Sequence, residues 1–565
     1  MSRALKRKVF VNAGLEALTP LSVGGAGASE TADLELAKNG KGEWYIPSTS
    51  MTGPMRSWLE TRFERGEAIA AALFGYQNRR TGGGRASLLF VGDAPVNVPR
   101  GLAREVRDGI RMDRVTGTAK KGFKYNRAVL PAGTTMPLRL ELDVPPEPVE
   151  VRRENASEKE IVRPEELERA VREIVRALGQ GEIRFGAAKG RGLGSLRVRD
   201  SHFFRYNFPE DLDRWLDREV VQRLSLDKLG NDVTLERKKI FRDEIVIEWT
   251  PVSPVMVKSG RDGTKADMVP LVSGVANDKV APVLPGSSLK GILRGRAEKI
   301  IRTLLLKDDQ DERKEEECLE IVREIFGDED RGGRMVINDV YQRGGATLLS
   351  AWFGEEKDFE SATTYEQHVA VDRFTGGASD GALYSVRAPK IGPKWDPIRI
   401  VVDFSRPVKV TKKSGNSPGN LAYVPVSAEH RNAMRALLYL VLRDMKEGFL
   451  PLGFGANRGM GEINIIGMKG YDDFSEEEKG AMRSAWESFL KTGGDWYDCG
   501  AEAERDPQGE EGGRGEHGGV SAAGGPDVSE PIFCGTGVFS FLGRIWPSRK
   551  ERELDSGPEG PVRRR

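Results

Sequence analysis

Three groups of residues in this 565-residue chain have types and spacings that could do chemistry. The first is a hydroxyl-rich turn running straight into a basic segment, L-P-G-S-S-L-K-G-I-L-R from Leu284 to Arg294. A blurred copy, I-P-S-T-S-M-T-G-P-M-R, lies at Ile46 to Arg56. Gly286 lets the backbone turn tightly, Ser287 and Ser288 can cap free amides, and Lys290 and Arg294 fall four apart on one helical face. A helix N-terminus beside a cation is a seat for phosphate; the same residues also describe an ordinary capped helix with a solvated basic face. The upstream copy keeps Ser48, Ser50 and Arg56 but has Thr52 at the lysine position.

The second group is the stretch Arg100 to Arg127. It holds nine Lys/Arg, among them Arg114, Lys120, Lys121 and Lys124, against three acids, with Phe123 and Tyr125 interleaved. Cations hold phosphates while aromatic and apolar tips stack on or wedge between bases, so the mixture suits sequence-independent binding of a polynucleotide. The third group is a set of loop carboxylates: Glu30, Asp33 and Glu35, then Asp262, Asp267 and Asp278. Histidine acid–base chemistry has little to draw on, since none of His202, His368, His430 and His517 falls near the turn-helix segments.

Bulk composition bounds the setting. With 38% hydrophobic residues the chain can build more than one core. Lys+Arg 87 against Asp+Glu 86 leaves +1, so a polyanion would have to meet a local basic face. Cys318, Cys499 and Cys534 stand far apart, against both a disulfide framework and a thiolate zinc site, and fit a reducing cytoplasm. No apolar run reaches the length of a membrane span, and the N-terminal run is broken by Asn12 and Glu16, so neither export nor a membrane partner is expected.

The elements that must position these residues come twice. K-V-F-V-N-A-G-L-E-A-L-T-P-L-S-V-G-G (Lys8 to Gly25) pairs with E-I-V-I-E-W-T-P-V-S-P-V-M-V-K-S-G (Glu244 to Gly260), an alternating strand running into Thr-Pro and a Gly-ended loop. The turn-helix segments follow, then D-R-x-T-G at Asp113-Arg114 and at Asp372-Arg373, each before a hairpin and a strand. R-G-[LM]-G closes each set, at Arg191 and Arg458. These Gly-rich loops lack the Walker pattern and serve either a tight strand entry or backbone contact with a polynucleotide. Val162–Gly179 and Ala428–Met445 show helical apolar spacing. The order strand, excursion, helix, hairpin, strand, helix, strand predicts an α+β fold of two tandem ferredoxin-like (RRM-like) units, with helices on one sheet face. The expected division is 1–203 and 243–470 for the two domains, 204–242 for a charged linker, 471–498 for a C-terminal helical segment and 499–565 for a flexible tail rich in Gly, Pro, Glu and Arg.

The ordered set T-P-x-S, I-P-x-[ST]-S-x-x-G, D-R-x-T-G and R-G-x-G, present in duplicate, resembles the RAMP superfamily, specifically the Cas-seven-type backbone subunits of type III CRISPR effector complexes. The resemblance implies that each half lies along a guide RNA and that a thumb-like hairpin wedges into the guide–target duplex. It also implies other RAMP-type and large subunits as partners, and hydrolase activity: divalent-metal-dependent endoribonuclease cleavage of target RNA by an aspartate in the loop after the first strand. Asp33 matches by spacing, fourteen residues before Pro47, and Asp267 by context, in K-A-D-M-V-P. These two are the expected catalytic residues and ligands of Mg²⁺ or another divalent cation. By the same resemblance Ser48, Ser50, Arg56, Arg114, Lys120, Lys121, Lys124, Arg191, Ser287, Ser288, Lys290, Arg294, Arg373 and Arg458 are expected at RNA. The alternatives are a guide-RNA scaffold without catalysis and a metal-independent guide-processing endonuclease.

Overall fold

The computed structural model describes residues 4–494 apart from 26–31, 79–82, 114–115, 153–158, 220, 260–265, 306–314, 316, 346, 349–361 and 415–416, and describes 345, 347–348, 409–414 and 417–424 by their backbone alone. The tail expected over 499–565 lies outside the described residues.

In the first half, strand β1 (Arg7–Ala17) alternates buried Val9, Val11, Ala13 and Leu15 with less buried neighbours, so one face enters the core. Helices α1 (Ser48–Arg62) and α2 (Gly66–Phe74) follow. Then come β2 (Leu89–Val91), a long hairpin of β3 (Glu105–Met112) and β4 (Ala119–Val129), β5 (Thr135–Val144), α3 (Pro164–Gly179) and β6 (Leu196–Asn207). The sheet runs β6-β1-β5-β2, all antiparallel, with Leu224–Ser225 added outside β6. This is the ferredoxin-like order. Segment 204–242 is held against the first half: besides that edge pairing, the Glu64 amide donates to Glu236 O and the Lys238 amide to Arg62 O.

The second half repeats the plan with β7 (Arg242–Pro251), an added hairpin of β8 (Val272–Ala276) and β9 (Lys279–Leu284), α4 (Gly286–Leu305) and α5 (Glu320–Phe326). It continues through β10 (Met335–Ile337), the hairpin β11 (Thr363–Val371) and β12 (Ala378–Pro389), β13 (Ile398–Asp403), α6 (Ala428–Lys446) and β14 (Ile463–Lys469). Its sheet, β14-β7-β13-β10, has the same order. Each half also carries a bulge at the same place, skipping Arg199 on β6 and Ile466 on β14, eight residues after the R-G-x-G arginine. A final helix α7 (Glu476–Lys491), opened by a Ser475/Glu478 capping box, buries Trp486 and Phe489. No helix among the described residues is long and apolar enough to cross a membrane.

Each Gly-rich loop closes on the segment after the first strand through matching hydrogen bonds. In the first half the Gly194 amide donates to Pro20 O, the Ala187 amide to Ser22 O and the Ser195 amide to Thr19 Oγ1. In the second, the Gly461 amide donates to Pro254 O, the Phe454 amide to Met256 O and the Glu462 amide to Ser253 Oγ. Gly194 and Gly461 have φ of +78° and +86°, and a Cβ there would stand 2.0 and 2.4 Å from a carbonyl oxygen, so no other residue fits. The correspondence corrects the motif pairing: Thr19-Pro20 matches Ser253-Pro254, not Thr250-Pro251.

The halves meet head to tail. The hairpin base of the first enters the second, where the buried Arg107 pairs with Asp339, whose side chain is 0% exposed, and donates to Ser273 Oγ at 2.9 Å. Asp339 also accepts the Gly286 amide, 2.8 Å, at the start of α4. Burial works against the Arg107 charge, and Asp339 and then Glu105 more than offset it, raising its pKa. Among the described residues every ion pair across this junction has its arginine on the first half and its carboxylate on the second: Arg62–Asp403, Arg100–Asp278, Arg107–Asp339 and Arg111–Glu329.

Register identifies the counterpart of Asp339. Ile337 pairs with Ile400 and Val91 with Leu140, so Asp339 corresponds to Asp93, which accepts the Ser48 amide at 2.7 Å at the start of α1. Asp93 is exposed. The two aspartates therefore share one capping role in different surroundings. Asp339→Ala is expected to cost roughly 3–5 kcal/mol, because it strands the buried Arg107 charge. Asp93→Ala should cost about 1 kcal/mol, the value of a helix cap. Thermal and denaturant melts of the two variants check the difference.

Candidate nucleic-acid interface

The two loop aspartates occupy equivalent places at the bases of the two hairpins. The Asp33 amide donates to Asn126 Oδ1 at 2.6 Å and its Oδ2 accepts the Asn126 amide at 2.8 Å. The Asp267 amide donates to Ser385 Oγ at 3.1 Å, and its Oδ2 accepts the Ser385 amide and hydroxyl at 2.7 and 2.9 Å. The next residue of each loop forms a parallel bridge to the hairpin, Leu34 with Arg127 and Met268 with Val386. Both aspartates are exposed. The Ser385 amide and then its hydroxyl hold the Asp267 carboxyl below the usual carboxylate range.

One residue before each of these hydrogen-bond partners stands a tyrosine that ties in the Gly-rich loop. Arg191 Nη1 donates to Tyr125 Oη at 3.2 Å, and Arg458 Nη1 to Tyr384 Oη at 2.6 Å. Aspartate, hairpin base and R-G-x-G arginine thus form one constellation, built twice. Its surroundings differ. Tyr125 lies across Gly109, where a Cβ would stand 2.2 Å from the ring, whereas the matching His368 stacks on Tyr384 with centroids 5.2 Å apart. Neither tyrosine was singled out as a partner of the arginine from sequence; the repeated signal was Tyr followed by a small hydrogen-bonding residue, Tyr125-Asn126 and Tyr384-Ser385.

The hairpins project outward from these bases. In the first, Lys120, Lys121 and Lys124 are exposed; Lys120 and Arg111 lie over the Phe123 ring, each 5.1 Å from its centroid, and Lys124 pairs with Asp108. Arg114 lies outside the described residues. In the second, Arg373 is exposed beside Phe374, which is 99% exposed, and Asp372 Oδ1 accepts the Phe374 and Thr375 amides to shape the turn. Cations and bare apolar tips on a stiff ribbon offer both phosphate attraction and a wedge for stacked bases.

The turn-helix segments are more engaged within the fold than their spacing implies. Arg56 Nε donates to Glu60 and its Nη1 to Gly75 O; Arg294 makes the same pair of bonds to Glu298 and Gly327 O. Ser50 and Ser288 amides donate to Pro47 O and Pro285 O, and the first amide of each helix is taken by Asp93 or Asp339. Ser287 is exposed, while Lys290 is 8% exposed with Nζ donating to Met335 O at 2.7 Å. Burial, then the Arg191, Arg406 and Arg294 charges, push the Lys290 pKa down to about 7.

The structure unites groups from different copies. The α4 turn packs on the first half's Gly-rich loop: a Cβ on Gly286 would stand 3.0 Å from Arg191 O, and one on Gly190 3.4 Å from Lys290 Nζ. Arg191, Lys290 and Ser287 therefore belong to one composite region at the junction. Ser48, Ser50 and Arg56 do not join it.

Among the described residues no group of three or more His, Cys, Asp or Glu is placed to hold a metal ion. Each loop aspartate offers a single carboxylate, with Oδ2 already bonded, so an ion there would need water and substrate oxygens to fill its shell, a mode natural to Mg²⁺.

A family model described as RAMP superfamily matches residues 14–197 and 250–464, more than half of the chain. No curated protein matches it.

Ser385→Ala removes both bonds of the hydroxyl, the one to Asp267 Oδ2 and the one from the Asp267 amide, and leaves the Ser385 amide on Oδ2. The Asp267 pKa is expected to rise toward the ordinary value of about 3.9, read by carboxyl-carbon NMR titration. The sign follows from its lowered folded value: the stability it contributes is present above the unfolded pKa and lost as pH falls through the folded one.

Proposed function

The chain belongs to the RAMP superfamily, a family of CRISPR-associated subunits, and on that premise we propose that it is a double backbone subunit of a type III effector complex. In this reading it carries guide RNA and cleaves the complementary target RNA at two places, one beside Asp33 and one beside Asp267. The observation that carries the reading is the duplicated constellation at the hairpin bases: exposed aspartate, bonded hairpin residue, adjacent tyrosine and Gly-loop arginine.

Cleavage needs little machinery. A hairpin wedged into the duplex unstacks a target nucleotide, so that its 2′-hydroxyl can line up with the neighbouring phosphate. Attack forms a new oxygen–phosphorus bond as the bond to the 5′-oxygen breaks. The hydroxyl proton leaves toward a basic oxygen, and the 5′-oxygen takes one up. Asp267, ionised well below neutral pH, has a carboxylate fixed through Oδ2 and facing solvent, suited to orienting that hydroxyl. A Mg²⁺, where bound, would be held by the same carboxylate together with water and the RNA phosphate, and would supply charge neutralisation at phosphorus. Arg191 and Arg458, anchored on tyrosines, can face phosphate oxygens.

With the assembled complex, guide and labelled target, Asp33→Ala and Asp267→Ala are each expected to slow a different cut by at least about 10²-fold while target binding stays unchanged. Wild-type cutting by both variants would leave a guide-RNA scaffold. Cleavage that persists in chelator would remove the metal from the mechanism, and cutting of precursor repeat RNA by the chain alone would favour guide processing.

A further inference from the structure

The internal junction shows what one half requires of its neighbour, and the two outward faces can be compared with it position by position. On the accepting side, Asp339 and Asp403 of the second half take Arg107 and Arg62. Their counterparts on the first half are Asp93 and, through the pairing of Leu140 with Val11 and Ile400 with Ile245, Asp143. Both carboxylates are retained. Asp93 is exposed and uses one oxygen on the Ser48 amide, and the Asp143 side chain is 38% exposed beside Lys8.

The donating side is not retained. The two hairpins have equal spans from tip to tyrosine, with Asp113 and Asp372 capping the tips alike and Tyr125 and Tyr384 at the bases, so positions match one to one. Arg107 corresponds to Glu366 and Arg111 to Ala370. Matching Arg56 to Arg294 on the first helices places Ile300 at the position of Arg62. In the Gly-rich loops Pro451 stands where Arg184, bonded to Asn338, stands in the first half. Glu366 is half-buried at its strand position with His368 Nε2 3.4 Å away. A second copy of the chain brought up in the same head-to-tail manner would set Glu366 against Asp93, carboxylate on carboxylate, where the internal junction has Arg107 on Asp339.

We propose that the outward face of the first half, centred on Asp93 and the start of α1, is a docking surface for a separate protein subunit that presents an arginine at the base of a hairpin. A second copy of this chain is excluded from it by Glu366. The proposal rests on the tandem arrangement and not on the cleavage reading, so either can fail alone. It makes this chain a closed pair that takes a different partner, where a repeated arginine would give an open-ended polymer.

Charge exchange tests it with the full chain. Sedimentation velocity across a hundredfold concentration range is expected to show no head-to-tail growth of the wild type. Glu366→Arg should produce concentration-dependent association at least tenfold stronger, and Asp93→Arg should do the same by meeting Glu366 of the next copy. The double exchange, Asp93→Arg with Glu366→Arg, should return to the wild-type behaviour. Melting curves establish that each variant is folded, and the two single exchanges lie in different elements, so loss of one leaves the other as the test. The proposal is overturned if folded single exchanges sediment as the wild type does, or if the wild type itself polymerises and Asp93→Arg abolishes the polymer.

Discussion

A buried carboxylate must be matched by donors, and the tandem arrangement depends on how Asp339 meets that demand. One oxygen takes the first amide of α4, so the helix of the second half starts where its own sheet ends. The other takes Arg107, which arrives from the neighbouring half. Capping and docking thus share one side chain, and neither half presents this surface complete by itself. The low-dielectric setting makes the arrangement demanding, since each partner left alone would be a stranded charge. Glu105 extends the demand, accepting from Ser273 and Gly274 while Arg107 offsets its charge.

The duplication and the order of elements were open to reading in the sequence because they rest on local chemistry: strand alternation, helical spacing, glycines at turns. The position of the second strand was not. At three residues, Leu89–Val91 and Met335–Ile337 are too short to show a period, and only their pairing with β5 and β13 reveals them. The pairing of Thr19-Pro20 with Thr250-Pro251 was misled by identity. In the fold the hydroxyl that accepts the Gly-loop amide is Ser253, three residues beyond Thr250, and a proline following each hydroxyl conceals the shift. A further repeat passed unused: Leu73-Phe74-Gly75 and Ile325-Phe326-Gly327 end equivalent helices and supply the carbonyls that hold Arg56 and Arg294.

The site divides along the same line. The resemblance points to Asp33 and Asp267, and the structure gives both the same bonds to the hairpin base, an equivalence obscured by spacing, since Asp33 stands fourteen residues before Pro47 and Asp267 eighteen before Pro285. Arg56, Arg294 and Lys290 looked like free cations because sequence spacing shows a helical face without showing what packs on it. Two of them clamp a neighbouring helix end and the third is buried beneath a loop of the other half. That loop lies a hundred residues away in the chain, beyond the reach of any periodicity.

The stretch joining the halves lies along the first domain, paired to its sheet edge and to the end of α1. It bears none of the ion pairs that lock the two folded surfaces together. Geometry is therefore written into the surfaces, and the covalent connection does something else: it guarantees that the two unlike neighbours are always made in equal number and always find each other first. Any assembly built on this protein inherits a fixed dimer as its counting unit, whatever the abundance of its other components.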